Sequence, residues 1–284
     1  MKKIKYISLI IGLFLAISCA DTKQEKSVSN KEKQMISNTI SETEMPHDSI
    51  VARVFRSEVL EKYGLFSTEW QEELDIALAK YPTVAYLWQQ KAMPLFKQGK
   101  YELAMPYLDK AVQYDRLEFQ DYRAFMKCIF ARAYSDAITD FEDCIKRFGN
   151  SYVMDHTYKF YIALSKIQLH EFAEAEKILL EEIATEKAER GADWVHHLDL
   201  YYVAIAKYEQ HKYEDAILFF DKALERYPEF SEAQLYKSKA LRRIGKTEAA
   251  EALGKIAQKN GKAGFTINED NSIHIKYPYQ IKWH

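Results

Sequence analysis

The feature that most restricts the fold of this chain is an alanine that recurs along its middle and C-terminal parts. Ala104, Ala137, Ala175, Ala216 and Ala250 are separated by 33, 38, 41 and 34 residues. A period of this length is typical of arrays in which each repeat is one pair of helices. Small residues let two helices approach closely where they cross, so the spacing predicts stacked helix pairs.

The segments around these alanines share further positions. The clearest runs from Leu200 to Pro228, where Tyr213, Phe220 and Ala223 accompany the recurring alanine. An earlier stretch has the same arrangement in Trp88, Ala92, Leu95, Gly99, Tyr101, Ala104, Leu108 and Ala111. Both stretches resemble the consensus of the tetratricopeptide repeat (TPR) family.

The resemblance covers about 47–259 and implies an all-α, right-handed solenoid of about five to six helix pairs. Its concave face would be lined by the first helix of each repeat. The two longer spacings predict insertions, which we expect in loops near Gly149 to Asp155 and Thr185 to Asp193. The scarcity of turn formers, with only 9 Gly and 6 Pro, agrees with long helices joined by short loops.

The N-terminus has the pattern of an export signal. Three lysines in 1–5 precede an apolar run from Ile7 to Ile17, which is followed by Ser18, Cys19 and Ala20. The run resembles the bacterial lipobox, although Leu15 stands one place early. The sequence therefore predicts a signal peptide over 1–18, a lipidated Cys19, a flexible tether over 19–46 and a membrane-anchored lipoprotein of the bacterial cell envelope. The alternative is secretion without a lipid anchor, with cleavage nearby. The sequence does not specify the membrane leaflet.

The closing segment, 260–284, changes character. Phe265 to Ile267 and Ser272 to Ile275 are short β-type runs around a turn-forming cluster, and a strongly aromatic end follows. Tyr277, Tyr279, Ile281 and Trp283 alternate with polar residues or proline, so an extended chain would present them on one side. We therefore expect an extended or β-hairpin tail that packs on the array.

The resemblance also indicates where a partner would bind. Ligands of the TPR family commonly meet certain positions of each first helix, and the positions that match here are rich in aromatic residues and Met. Aromatic side chains with a polar group are frequent in binding hot spots. The candidate binding residues are Tyr86, Gln89, Met93, Phe96, Tyr122, Met126, Phe160, Tyr201 and Tyr208. The alternative is that strong curvature or the C-terminal tail buries many of them.

Arg242 and Arg243 join this candidate set for another reason. They stand with Lys237, Lys239 and Lys246 in the last first helix, although the chain carries a formal net charge of -2. Such a cluster could clamp a peptide carboxylate, or it could be the solvated face of a terminal repeat. A mildly acidic protein is a poor candidate for nucleic-acid binding, which depends on clustered basic residues.

The sequence contains little evidence of a metal-binding or catalytic site. His196, His197 and Asp199 form an HHxD string, but adjacent side chains on a helix diverge, so a structural role is favoured over a metal site. Cys128 and Cys144 belong to one repeat and could form a disulfide bond. Buried free thiols are favoured over this alternative. The sequence contains no GxxxxGK[ST], GxGxxG, GxSxG or HExxH. We predict no catalytic residues and no cofactor.

The sequence thus favours a non-catalytic envelope lipoprotein that binds another envelope protein or a peptide through the concave face of its repeat array. The alternative is a lipoprotein that captures a glycan or small ligand on the same aromatic face. A groove open along several repeats would favour a peptide. A compact aromatic pocket at one end would favour a sugar.

Overall fold

The computed structural model divides the chain into two units at residue 46, and the second of them, Pro46–His284, is compact. The structure describes residues 46–268 and 275–284, all in the second unit. The predicted signal peptide, Cys19 and almost all of the tether lie outside the described residues. No described helix is both long and apolar enough to cross a membrane.

Within the described residues the second unit is built from thirteen α-helices. The first three are α1 (His47–Phe55), α2 (Glu58–Tyr63) and α3 (Thr68–Lys80). Five antiparallel pairs follow: α4 (Ala85–Lys97) with α5 (Tyr101–Tyr114), α6 (Arg116–Met126) with α7 (Tyr134–Phe148), α8 (Tyr158–Gln168) with α9 (Phe172–Arg190), α10 (His197–Glu209) with α11 (Tyr213–Arg226), and α12 (Ser231–Arg243) with α13 (Thr247–Lys262).

The predicted array of helix pairs is confirmed. The five recurring alanines all lie in the second helix of a pair, and each is fully buried: Ala104, Ala137, Ala175, Ala216 and Ala250. Each second helix packs against the first helix before it, and each except the last, α13, also packs against the first helix that follows. The methyl side chain therefore stands where neighbouring helices are close, which explains why the position stays small.

The turn between the two helices of each pair contains one residue in the left-handed region. These residues are Gly99, Arg132, His170, His211 and Gly245, with φ between 58 and 81. Glycine adopts this conformation without strain, whereas the other three accept it at some cost. His170 and His211 thus lie at turns of the array, where their backbone adopts the left-handed conformation.

The two insertions are accommodated differently. The first forms a short antiparallel hairpin, in which β1 (Tyr152–Val153) pairs with β2 (His156–Thr157) before α8 begins. The second was expected in a loop, but most of its residues lengthen α9 to Arg190, and a 3-10 turn at Ala192–Trp194 completes the connection. The segment before Gly191 is rich in Ala, Glu and Lys, which favour helix over loop.

Ala216→Leu is expected to lower the free energy of unfolding by about 1–3 kcal/mol, because three more carbon atoms must enter a closely packed crossing. The exposed neighbour Glu214 provides the control, since Glu214→Gln should leave stability almost unchanged. Denaturant midpoints of the two variants measure the difference. Equal midpoints would contradict the assignment of the alanine to the crossing.

Candidate functional site

The face lined by the first helices α4, α6, α8, α10 and α12, here called the first-helix face, is open at one end and covered at the other. The open part, the N-terminal shelf, consists of Tyr86, Gln89 and Met93 of α4 with Tyr122 of α6. Tyr86 is 40% exposed, and the other three side chains are half-buried. The shelf presents aromatic surface with polar groups at its edge.

Tyr122 of the N-terminal shelf interacts with Gln89 and Tyr86 across two repeats. Burial raises the pKa of Tyr122, a hydrogen bond with Gln89 opposes that shift, and the nearby phenol of Tyr86 adds to it. The ring of Phe55 in α1 lies 5.9 Å from that of Tyr86. The shelf is therefore held by neighbouring helices and is preorganised for a ligand that spans α4 and α6.

The structure places four other candidate residues in the core. Phe96, Met126, Phe160 and Tyr201 are each at most 3% exposed. Phe96 packs edge-on against Phe130, with ring centroids 6.1 Å apart. In this conformation these side chains hold adjacent first helices together and do not reach solvent.

The C-terminal half of the first-helix face is covered by residues 275–284, here called the tail. Tyr277 and Pro278 are buried, and Tyr279, Ile281 and Trp283 are half-buried. The ring of Tyr279 lies 5.5 Å from that of Tyr236 in α12. The tail therefore crosses the first-helix face instead of only closing the end of the array.

The tail is not the regular extended strand that its alternating sequence predicts. Tyr279 has φ 60, and the N–H of Gln280 donates to the carbonyl of Tyr277 at 3.2 Å, which closes a turn. The side-chain oxygen of Gln280 accepts from the N–H of Tyr277 at 3.0 Å. The turn breaks the alternation, so the adjacent residues Tyr277 and Pro278 both become buried.

The groove beneath the tail contacts its main chain through polar groups. The hydroxyl of Tyr202 donates to the carbonyl oxygen of Pro278 at 2.9 Å, and the hydroxyl of Tyr201 donates to that of Tyr279 at 3.2 Å. Both tyrosines belong to α10 and are fully buried. The array thus fixes two successive backbone carbonyls of the tail.

Glu232, near the start of α12, is fully buried beside the tail. Its Oε1 accepts a hydrogen bond from the N–H of Ile281 at 3.2 Å, and its Oε2 accepts one from the hydroxyl of Ser231 at 3.0 Å. Burial raises the pKa of this carboxyl to about 7, although hydrogen bonds to it oppose the shift. The protonated form therefore predominates in mildly acidic solution.

Glu232→Gln is expected to stabilise the protein above about pH 8 and to have little effect below about pH 4.5. The wild-type carboxyl keeps its proton up to about pH 7 when folded and only up to 4.5 when unfolded. The stability it contributes is thus complete below pH 4.5 and is lost as the pH rises through 7. Glutamine does not ionise, so the difference should reach about 1–3 kcal/mol in alkaline solution.

Denaturant unfolding at several pH values measures this difference. Glu225→Gln, at an exposed position of α11, is the matched control and should give no pH-dependent difference. A Glu232→Gln variant that loses stability at high pH would show that the N–H groups hold an ionised carboxylate, contrary to the expectation.

The last aromatic residue of the tail lies on α13. A Cβ atom at Gly261 would overlap the indole ring of Trp283, so only glycine leaves room for this contact. Gly261→Ala should raise the intrinsic helix propensity of α13 but displace Trp283 into solvent. We expect a red-shifted tryptophan emission, and no shift for Gly254→Ala on the same helix, where a Cβ meets only the Ser238 side chain. Identical spectra would contradict the contact.

Lys239, Arg242 and Arg243 of α12 line a separate pocket of ≈ 570 Å³ between α12 and α13. Arg242 and Arg243 are exposed there, and Tyr208 of α10 is half-buried at its edge. Lys255 adds a fourth basic side chain to Lys239 and the two arginines, against the single carboxylate of Glu251. The pocket suits an anionic group, but its residues do not join the N-terminal shelf.

The HHxD string caps α10. The Nδ1 atom of His196 accepts from the N–H of Leu198 at 3.3 Å, and Asp199 accepts from the N–H of His196 at 3.3 Å. The ring of His156 lies edge-on to that of His196, with the centroids 5.2 Å apart. Burial lowers the pKa of His156 to about 3. Within the described residues, no group of three or more His, Cys, Asp or Glu is arranged to hold a metal ion.

The two cysteines of the described part are free and buried. Cys128 lies against Ser165, whose hydroxyl is 3.3 Å from its sulfur. Burial raises the pKa of Cys128 to about 12 and that of Cys144 to about 11, so both stay as unreactive thiols. They contribute to packing, and they form no bridge.

Several groove residues were not identified from the sequence. Glu232 reads as an ordinary acidic residue in a first turn, and Tyr202 adjoins a predicted position without matching one. Gly261 could have been noticed as a glycine inside a helical pattern, which usually has a packing reason. Glu232 and Tyr202 could not be identified from a sequence pattern, because their role depends on where the tail lies in the folded protein.

The fold defines a helical-repeat protein. Its helix pairs are stacked through closely packed small residues, and a segment of the chain lies along its first helices. Residues 204–264, in α10 to α13, match the model of the family described as tetratricopeptide repeat. No curated protein of similar sequence was found.

Solved structures share the fold at low sequence identity. A tetratricopeptide repeat protein from Parabacteroides merdae is 15% identical, with a TM-score of 0.57 over 80% of this chain and 95% of that one. PilW, described as a widely conserved type IV pilus biogenesis factor, is 14% identical, with a TM-score of 0.58 over 76% and 94%. MamA from Desulfovibrio magneticus is 15% identical, with a TM-score of 0.52 over 63% and 96%.

Proposed function

We propose that the protein is a non-catalytic scaffold of the bacterial cell envelope that is anchored through a lipid on Cys19 and binds another protein or a peptide at the N-terminal shelf. The observation that carries the proposal is the open aromatic surface of Tyr86, Gln89, Met93 and Tyr122 on the face that TPR arrays use for ligands. Exposed aromatic residues with polar groups are the usual centres of protein interfaces.

The shape of this surface favours a peptide over a sugar. The shelf extends across α4 and α6, and the first-helix face continues from it towards the tail. An extended partner can therefore lie across several first helices. A sugar would be expected to need a compact pocket, whereas the shelf is open.

Site-specific crosslinking tests the binding surface. A photoreactive phenylalanine derivative replaces Tyr86 in the full-length protein in its own cells, and the same residue replaces Leu218, which is 52% exposed on the second helix α11, as the control. We expect a discrete adduct from position 86 and none from position 218. A protease-sensitive adduct supports a protein partner. A glycosidase-sensitive one would favour glycan capture, and equal adducts from both positions would contradict the shelf.

The lipid anchor is tested separately. Only a thiol at position 19 can accept the thioether-linked lipid, so Cys19→Ser should move the protein from the membrane fraction to the soluble fraction. Cys128→Ser provides the control, because that thiol is buried in the array. Membrane retention of the Cys19→Ser protein would contradict lipidation at this residue.

A further inference from the structure

We infer that the groove over α10 and α12 is a second peptide-binding site, which the tail occupies as a reversible internal ligand. Its external ligand would be a protein segment with an aromatic–proline–aromatic turn followed by an apolar residue two positions later. The inference deepens the proposed function, because it assigns a partner chemistry to the covered half of the first-helix face.

The contacts of the groove are those of peptide recognition. Tyr202 and Tyr201 donate to the carbonyls of Pro278 and Tyr279, and Glu232 accepts from the N–H of Ile281. These bonds engage main-chain groups that any peptide has, while the rings around them select side chains. Backbone bonds for affinity and side-chain contacts for selection are the two parts of a peptide site.

The tail lies on the array as a bound segment does. The side chains of Tyr279, Ile281 and Trp283 remain partly exposed, and those of Lys276 and Lys282 are exposed. The largest core side chains, by contrast, are fully buried. The tail therefore adds to a surface that the helices already form.

The groove can lose its occupant without leaving buried polar groups unsatisfied. When the tail leaves, the hydroxyls of Tyr201 and Tyr202 and the carboxyl of Glu232 become accessible to water, which replaces the lost hydrogen bonds. An unpaired buried donor or acceptor would destabilise the protein, and hydration avoids this cost. An empty groove is thus a polar and aromatic surface that can exchange ligands.

The turn in the tail defines the ligand class. The turn is stabilised within the tail itself, by Pro278 and by the two hydrogen bonds between Tyr277 and Gln280. A preorganised turn loses less entropy on binding than a flexible segment does. Tyr279 then stacks edge-on with Tyr236, and Ile281 reaches Glu232. A competing segment needs the same order of aromatic, proline, aromatic and apolar residues.

A peptide titration on the full chain tests this inference. The probe is a fluorescent synthetic decapeptide with the sequence of residues 275–284, and the protein carries Tyr279→Ala and Ile281→Ala in its own tail. These changes weaken the internal ligand and leave the groove intact. Because a tethered ligand competes at an effective concentration in the millimolar range, we expect the variant to bind the probe at least about 10-fold more tightly than wild type.

A groove variant provides the second arm. Tyr202→Phe in the weakened-tail background removes one donor to the Pro278 carbonyl and should reduce affinity for the probe about 5- to 10-fold. A scrambled decapeptide should not bind, and thermal unfolding verifies that each variant is folded. The milder single variant Ile281→Ala replaces the double variant if the latter does not fold.

Two results would overturn the inference. One is a folded weakened-tail protein that does not bind the probe, which would make the tail a permanent structural cap. The other is equal binding to wild type and variant, which would place the probe elsewhere. Neither affects crosslinking from position 86, so failure here is distinguishable from failure of the N-terminal shelf as a binding site.

Discussion

A chain that ends after Asn268 is expected to lose about 2–4 kcal/mol of stability. The truncation removes the tail, in which Tyr277 and Pro278 are buried and three more large side chains are half-buried. Full burial of one such side chain contributes about 1.5–3 kcal/mol, and the conformational entropy lost on ordering the tail offsets part of the sum. The net contribution of the tail to stability is therefore favourable, but it is smaller than the buried area suggests.

Thermal unfolding with and without an environment-sensitive dye measures this effect. The truncated protein should unfold at a lower temperature and bind more dye, because the aromatic floor of the groove is uncovered. Lys282→Ala is the control, since this exposed residue lies in the same tail. An unchanged midpoint without added dye signal would mean that the tail does not stabilise the array.

The repeat architecture could be predicted from the sequence because its determinants are local and periodic. The crossing alanines and the left-handed turn residues recur at each helix pair, so even the degraded repeats around Ala137 and Ala175 could be placed. Helix lengths were harder to predict. A tract rich in Ala, Glu and Lys continued α9 where a loop was expected, because intrinsic propensity suffices to extend an existing helix.

The candidate site could be predicted only in part. Repeat position indicates which side chains point towards the first-helix face, but it does not indicate what covers them. Tyr86 and Tyr201 come from corresponding helices, and yet Tyr86 is exposed while Tyr201 lies under the tail. That difference arises from a segment more than 70 residues away in sequence, which no local pattern encodes.

Asp140→Ala is expected to lower the free energy of unfolding by about 2–4 kcal/mol. Its carboxylate is 5% exposed and accepts hydrogen bonds from Arg123 at 2.7 and 2.9 Å and from Lys127 at 2.8 Å. Removing one partner of a buried charge network leaves the others unpaired, which commonly costs 3–5 kcal/mol. Arg123 keeps its contact with Asp109, so we expect a loss somewhat smaller than that range.

The network also supports the N-terminal shelf, because Arg123 and Lys127 flank the end of α6 and Tyr122 precedes them. Loosening α6 should therefore reduce crosslinking from position 86 as well as stability. Asp143→Ala is the matched control, because Asp143 lies in α7, the helix that contains Asp140. Asp143 is more exposed and pairs with Arg116 and Arg147, so its loss should cost about 1 kcal/mol or less and should be weakened by salt. Equal, salt-sensitive effects at positions 140 and 143 would show that Asp140 acts only as a surface ion pair.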